Sequence, residues 1–499
     1  MREWLDDGSD EIRLAWHPDF RRVDVTDGLG QTTQHYYDIK GYSFRIVHPD
    51  GSEEWMYRDQ NDNLTQYIHR DGGIERMAYD GRGNLIRHHR VDGSVVEMAY
   101  DAKEQMIALT DPHGNVWHQE YDDKGNLTAQ IDPLGHKTEY GYNEQGLVTS
   151  VKDAKGGVKQ LAYDGSGQVT RYTDCSGKTT KWTYDADGRL TATIDAAGNA
   201  TTYRYGENGQ LAQVQSPAGI EQIHYDAEGR LRGHTDPLGR NTRYQYDAAG
   251  RIANRVDALD QTIAYRYDRL GRLTTLVDAN QATYSFAYDP VGRLLEEVAF
   301  DGKRTRYTYD EANGRLTSID EAGLITQVEY DRGLRPSTRT SGASEERFAY
   351  DQSGRLIDAQ NRYSHIQRFF DPVGNLVREH HAYRLFDQAK SYVWHHRYDE
   401  LGNRIQTIRP DGHAIDWLTY GSGHVHGMLL DGEERIQFER DDLHRETRRT
   451  LGSRLGLRTV YDPAGRVIQT ALQREKAPMP IVDRRYRYDA AGQLTQIED

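Results

Sequence analysis

The phrase Tyr-Asp, two residues, Gly-Arg and then Leu or Ile occurs three times between Tyr244 and Leu294, as YDAAGRI, YDRLGRL and YDPVGRL. It belongs to a longer series. Tyr79, Tyr100, Tyr121, Tyr142, Tyr163, Tyr184 and Tyr205 each stand 21 residues after the last. Tyr225 follows at 20, and Tyr246, Tyr267, Tyr288, Tyr309 and Tyr330 return to 21. Tyr350 and Phe370 continue at 20, Tyr37 and Tyr57 read as earlier copies, and Tyr398, Tyr420, Tyr461 and Tyr488 as irregular later ones. With a degenerate copy near Phe438, about 22 repeats are counted. A short unit cannot bury an apolar face alone, so a sustained period fixes the architecture before local propensity is considered.

Each period carries two turn signals. One follows the tyrosine, as in Asp247-Ala-Ala-Gly250, Asp268-Arg-Leu-Gly271 and Asp289-Pro-Val-Gly292; the other lies midway, as in Asp132-Pro-Leu-Gly135 and Asp236-Pro-Leu-Gly239. Asp at the first position, Pro at the second and Gly at the fourth suit a type I turn: the carboxylate takes local N–H groups, Pro presets φ, and Gly tolerates a left-handed conformation. From Asp236 the turn aspartates fall at Asp247, Asp257, Asp268, Asp278 and Asp289, in steps alternating between 11 and 10. Subtracting a four-residue turn leaves strands of six or seven residues. In TRYQYD, Tyr244 and Tyr246 share one face while Arg243 and Gln245 share the other. Each repeat is read as a β-hairpin.

The expected fold is therefore all-β: a long spiral antiparallel β-ribbon of about 22 hairpin repeats that curls into a hollow, barrel-like shell, because strands twist and open edges are a liability. Roughly 44 strands at about 4.8 Å make a ribbon on the order of 200 Å wide, enough to wind twice around a small domain. Residues 1–36 are read as a lead-in or cap, 37–370 as the regular repeats, and 371–499 as irregular repeats. The insertions EHHAYRLFDQAKSYVWHH and QREKAPMPIVDRR in the last segment either form a plug or dock a cargo or partner.

Composition supports an ordered chain with little deep core. Mean hydropathy is −0.88 and net charge −15, which taken alone lean toward disorder. Yet Tyr occurs 34 times against 9 Phe, and rings with wetted hydroxyls suit a thin sheet. The acidic balance argues against a nucleic-acid surface. The lone Cys175 forms no internal disulfide, so stability needs no oxidising compartment. The N-terminus lacks the apolar core of a signal peptide, and no stretch approaches a membrane-spanning length.

Y-D-x-x-G-[RNQ]-L at this period resembles the YD repeat of the Rhs family, which includes bacterial polymorphic toxins, the C component of insecticidal toxin complexes and the teneurin shells of animals. The resemblance runs from about Tyr37 to Leu494. It implies a spiral ribbon closed into a cocoon. In bacterial members that cocoon encloses a C-terminal toxin domain until delivery. It further implies a protein made in the bacterial cytoplasm and exported by a contact-dependent or type VI system. The implied partners are the enclosed toxin, a secretion spike protein, an immunity protein and a chaperone. The chain departs from the family in showing no PAAR-type spike tip, no core-terminating cleavage segment and no toxin, so it is read as shell wall only. Asp462-Pro-Ala-Gly465 resembles the DPxG of the cleavage motif but lies inside an ordinary repeat and is read as a turn.

No catalytic, cofactor or metal site is expected. SGKTTK at Ser176–Lys181 lacks the earlier Gly of a phosphate loop, since position 172 is Tyr. His424 and His426 would share a strand face and could touch one metal, but they, like His380, His381, His395 and His396, are read as polar surface. Recurrent carboxylates are explained by their turn positions rather than by acid–base chemistry. Calcium between stacked turns lacks its GGxGxD signature. The sequons at Asn63, Asn126 and Asn199 have no force without a secretory signal. The expected function is a non-enzymatic shell that sequesters a toxin domain. The alternative is a cell-surface or carbohydrate-binding module that uses exposed Tyr stripes.

Overall fold

The computed structural model describes residues 2–3, 11–311, 313–385, 388–452, 454–474 and 477–499. Parts of the N-terminal lead-in and of both late insertions thus lie outside the described residues. Among those described there are 47 strands, one three-residue 3-10 turn at Pro18–Phe20 and no α-helix. The chain is an all-β antiparallel ribbon of hairpins, as the repeat predicts.

The period resolves into a six-residue strand ending on the phrase tyrosine, a five-residue turn, a five-residue strand and a second five-residue turn. Lys137–Tyr142, Val148–Lys152 and Val158–Tyr163 are successive examples. Six plus five and five plus five give the alternating 11 and 10. The turn is one residue longer than the four-residue estimate because its fifth residue closes the loop: Asp247 N–H donates to the Arg251 carbonyl at 2.9 Å, while Gly250 N–H donates to the Asp247 carbonyl at 3.0 Å. The steps of 20 arise where a two-residue turn replaces the second five-residue one, as between Leu211–Ser216 and Gly219–Tyr225.

Phrase-turn hairpins such as those of Tyr100, Tyr121, Tyr142, Tyr163 and Tyr184 carry a one-residue bulge. Tyr142 opposes Val148 while Gly141 opposes Ser150, leaving Thr149 as the extra residue. Hairpins closed by a five-residue midway turn pair without a shift, as in Ser150–Gln160, Val151–Lys159 and Lys152–Val158, whereas the one closed at Asp431-Gly432 shifts between Met428 and Leu429. Bulges sharpen the right-handed twist, so strain-relieving curvature enters once per repeat.

Two repeat positions are placed more closely by the register. Leu64 is opposed by Arg58, not Tyr57, so Arg58 holds the phrase position and Tyr57 points to the other face, 46% exposed. Likewise Arg440 opposes Glu446, and the copy placed near Phe438 is centred on Arg440.

The chain divides into two compact units. The first comprises Met1–Val116, Arg243–Gln367 and His381–Lys390; the second comprises Trp117–Thr242, Arg368–His380 and Ser391–Asp499. Each therefore contains an early and a late stretch of the ribbon, set edge to edge as two tiers. Neither has a conventional core. Val96 and Ala129 are the buried apolar residues among those described, and no large side chain is fully buried. Burial alternates along strands instead: in Ala200–Tyr205 the residues Thr201, Tyr203 and Tyr205 are half-buried, whereas Ala200, Thr202 and Arg204 are exposed.

Candidate functional site

The recurrent chemistry of the chain lies in the repeat phrase and in the turns that join the tiers. In each turn one aspartate organises the loop. Asp132 Oδ1 accepts from Leu134 N–H and His136 N–H at 2.8 and 2.9 Å. Asp236, Asp247, Asp268 and Asp289 do the same with the second and fourth residues after them. The glycines Gly135, Gly239, Gly250, Gly271 and Gly292 all have φ between 71° and 88°, which explains the residue type. These contacts all fall on Oδ1; Oδ2 takes the side chain of the residue after the glycine, as where His136 Nδ1 lies 2.8 Å from Asp132 Oδ2. Hydrogen bonds from Asn84 and Asn126, side chain first and then backbone, hold Asp80 and Asp122 below the ordinary carboxylate range.

The tyrosines serve the bulge. The strand Leu127–Ile131 pairs with Lys137–Tyr142 only from Ala129 onward, so Leu127 lies outside that ladder, and Tyr142 Oη donates to its carbonyl at 2.6 Å. The same bond, from Tyr to the first strand residue after the preceding phrase turn, is made by Tyr79, Tyr163, Tyr184, Tyr205, Tyr225, Tyr267, Tyr288, Tyr309 and Tyr350 at 2.6–3.1 Å. Tyr121 Oη also donates to Gln119 Oε1, at 2.7 Å. Tyr100, Tyr246 and Tyr330 keep the register opposite Met106, Ile252 and Pro336. Arg440 reproduces the bond with its guanidinium, Nε donating to the Val425 carbonyl at 2.8 Å.

The residue after the turn glycine is the part that sequence reasoning missed. Arg272 Nε donates to Asp268 Oδ2 at 2.7 Å, its guanidinium lies 4.7 Å from the Tyr288 ring centroid, and its Nη1 donates to the Asp289 carbonyl at 3.2 Å. One side chain thus ties its own turn to the ring and turn of the next repeat. Arg251 over Tyr267, Arg293 over Tyr309 and Arg466 over Tyr488 repeat the stack, each worth about 0.5–1 kcal/mol when partly exposed. Where Asn replaces Arg, as in Asn126, its amide takes the aspartate. Where Gln stands, as in Gln168 and Gln210, its amide donates at 2.7 Å to the carbonyl of the next turn glycine, Gly188 or Gly229. The signal was present in the phrase: Arg, Asn and Gln share only a planar N–H donor.

Within each unit, midway turns of the early tier meet phrase turns of the late tier. In the first unit Asp71 takes Arg315 at 3.3 Å, Asp92 faces Arg335 at 3.7 Å, and His113 faces Asp351 at 3.4 Å. In the second, Lys155 bonds Asp399 at 2.9 Å, Asp174 bonds His444 at 2.8 Å, Lys178 bonds Asp442 at 2.5 Å, and Cys175 Sγ lies 3.2 Å from Ser422 Oγ. SGKTTK falls at this seam, in the turn ordered by Asp174. The Asp462 turn has the ordinary geometry, with Arg466 N–H on Oδ1 and Nε on Oδ2. Among the described residues no group of three or more His, Cys, Asp or Glu could hold a metal ion.

The Teneurin YD-shell family model matches residues 85–278 and 159–310. A structure of the Photorhabdus luminescens Tc holotoxin pore aligns over 97% of this chain and 30% of its own, with a TM-score of 0.64 at 14% identity. Residues 85–310 carry repeats of the YD-shell type. A TcdB2-TccC3 crystal structure shares the fold over 99% of the chain and 34% of its own, with a TM-score of 0.62 at 14% identity. Among curated proteins, the YD repeats are similar to the toxin protein Tse5 of Pseudomonas aeruginosa, 36% identical over 174 residues, covering 33% of the chain and 12% of that protein. They are also similar to the double-stranded DNA deaminase toxin A of Burkholderia cenocepacia, 38% identical over 137 residues, covering 26% and 9%. The chain thus spans about an eighth or less of the length of these curated relatives.

Proposed function

We propose that the chain is the wall of a toxin shell, a scaffold without chemistry of its own that encloses a polypeptide and keeps it from its surroundings until delivery. The observation that carries this reading is the alternation of burial without a covering layer. Rings of the phrase face, such as Tyr203 and Tyr205, are half-buried although no second layer of structure accounts for it, while the opposite face is exposed. Side chains on the concave side of a bent sheet crowd one another, and a half-buried aromatic face is what such a wall would turn inward. The tier contacts in each unit support a wound ribbon, since a midway turn meets a phrase turn 244 residues later at both Asp71–Arg315 and Lys155–Asp399.

An aromatic face with few free hydroxyls offers apolar contact of low specificity, suited to an enclosed chain whose own fold is not read. The Tyr-stripe binding module has less support, because most phrase tyrosines spend their hydroxyls on Leu, Ile or Val carbonyls inside the wall. Export by a type VI system, with a spike and an immunity protein, belongs to the same proposal and draws on the likeness to toxins. Denaturing intact-mass analysis of the protein, purified with the products of its own and neighbouring genes, tests the reading. A second polypeptide of toxin size that stays bound until denaturation supports a cage. A chain that purifies alone beside unbound neighbours contradicts it.

A further inference from the structure

Most ionic contacts between tiers use a permanently charged group: Lys155, Lys178, Arg315 or Arg335. One contact in the second unit is built differently. His444 occupies the left-handed position of its turn, φ 61°, where neighbouring repeats place Gly. From there its ring reaches the early tier, Nε2 lying 2.8 Å from Asp174 Oδ2 and Nδ1 3.0 Å from Tyr420 Oη. The ring of His424 lies flat on it, with centroids 3.8 Å apart and planes 8° apart. Around the pair stand Asp174, Cys175 and Lys178 from the early tier, Tyr420 and His426 from the adjoining strands, and Arg440, Asp441 and Asp442 from the next hairpin.

We propose that the Asp174–His444–His424 stack is an acid-sensitive latch between the tiers of the second unit, closed while one ring is neutral and opened by the second proton. Asp174 can only accept, so His444 Nε2 carries a hydrogen toward it, and in the neutral ring Nδ1 accepts from the Tyr420 hydroxyl. Protonation of both rings would place two parallel imidazolium ions in contact, with the Arg440 guanidinium nearby. Burial first, then the charges of His444 and Arg440, hold the His424 pKa below the ordinary histidine range. A base with a lowered folded pKa stabilises the closed form above its unfolded value, about 6.5, and that stability is lost as pH falls toward the folded value.

Hydrogen exchange read by mass spectrometry on the full chain tests the latch, comparing about pH 7.5 with about pH 5 after scaling for the intrinsic exchange rate. Amides of residues 174–178 and 441–445 should lose protection in acid, while residues 153–157 and 399–403, joined by Lys155 and Asp399, keep theirs. His424→Phe keeps a flat ring and removes the second proton, so protection should persist at both pH values. His424→Gln should behave alike and replaces it if Phe disturbs folding. Equal protection of the unmodified chain at both pH values overturns the latch, as does acid loss that survives both substitutions.

Discussion

Tyr142 Oη donates to the Leu127 carbonyl oxygen at 2.6 Å, across fifteen residues of chain. That bond gives the repeat its tyrosine: the ladder with Lys137–Tyr142 begins only at Ala129, and the next phrase supplies a donor to the Leu127 carbonyl outside it. Tyr142→Phe keeps the ring and removes only the donor. It should cost about 1–2 kcal/mol, the price of one hydrogen bond and an unpaired carbonyl. Because the bond joins two successive repeats and lies away from the tier contacts, the loss should be confined to strands near 127–142, read as faster hydrogen exchange there and unchanged exchange in distant repeats.

The Asp–Arg pair should matter in proportion to burial. Asp289 is 6% exposed and holds Arg293, whose Nη1 is already buried without a partner. Asp289→Asn removes the carboxylate that this guanidinium bonds, leaving the charge of Asp50 nearby, and about 3 kcal/mol of local stability should go with it. Asp185 makes the same pair with Arg189 at a more exposed turn, at 2.8 Å, and Asp185→Asn should cost clearly less. Chemical denaturation followed by exchange at each turn separates the two.

Two glycines should respond differently to alanine. Gly114 has φ 84° with open space where a Cβ would sit, so Gly114→Ala costs only backbone strain, about 1 kcal/mol. Gly219, at φ 135°, would place a Cβ 2.6 Å from Pro237 Cβ. The added clash should raise that cost to about 3 kcal/mol. Equal midpoints for the two variants would contradict the account.

Acid should loosen the turns along the ribbon. Asp80 and Asp122 are held low by Asn84 and Asn126, and Asp185 by the Arg189 N–H and guanidinium. A carboxylate with a lowered folded pKa stabilises the fold above its unfolded value, about 3.9, and the contribution is lost as pH falls through the folded value. Thermal stability should hold above about pH 5 and fall progressively below about pH 4. That window lies beneath the one assigned to His424, so the two effects separate in a pH series.

Much of the hairpin architecture was legible because turns are local. Asp236 and Gly239 name their own conformations, and a carboxylate meets its N–H partners within four residues. The turn length was underestimated since the Arg251 carbonyl, which closes the loop, leaves no mark in residue type. Tyr57 was taken as a phrase residue by identity, whereas Arg58 holds the register; Arg440, which also donates in place of a tyrosine, escaped for the same reason. The tier seam was illegible because its partners, such as Lys155 and Asp399, lie 244 residues apart. No periodicity within one repeat encodes which repeat a turn will meet.

Protease accessibility tests the central claim most directly. The protein would be purified with the products of its own and neighbouring genes, digested with a broad protease under native conditions, and its surviving fragments identified by mass. The account predicts that a polypeptide distinct from the wall survives while the wall is intact, and is digested once mild denaturant opens it. Digestion of that polypeptide at the same rate with the wall folded or unfolded would contradict enclosure.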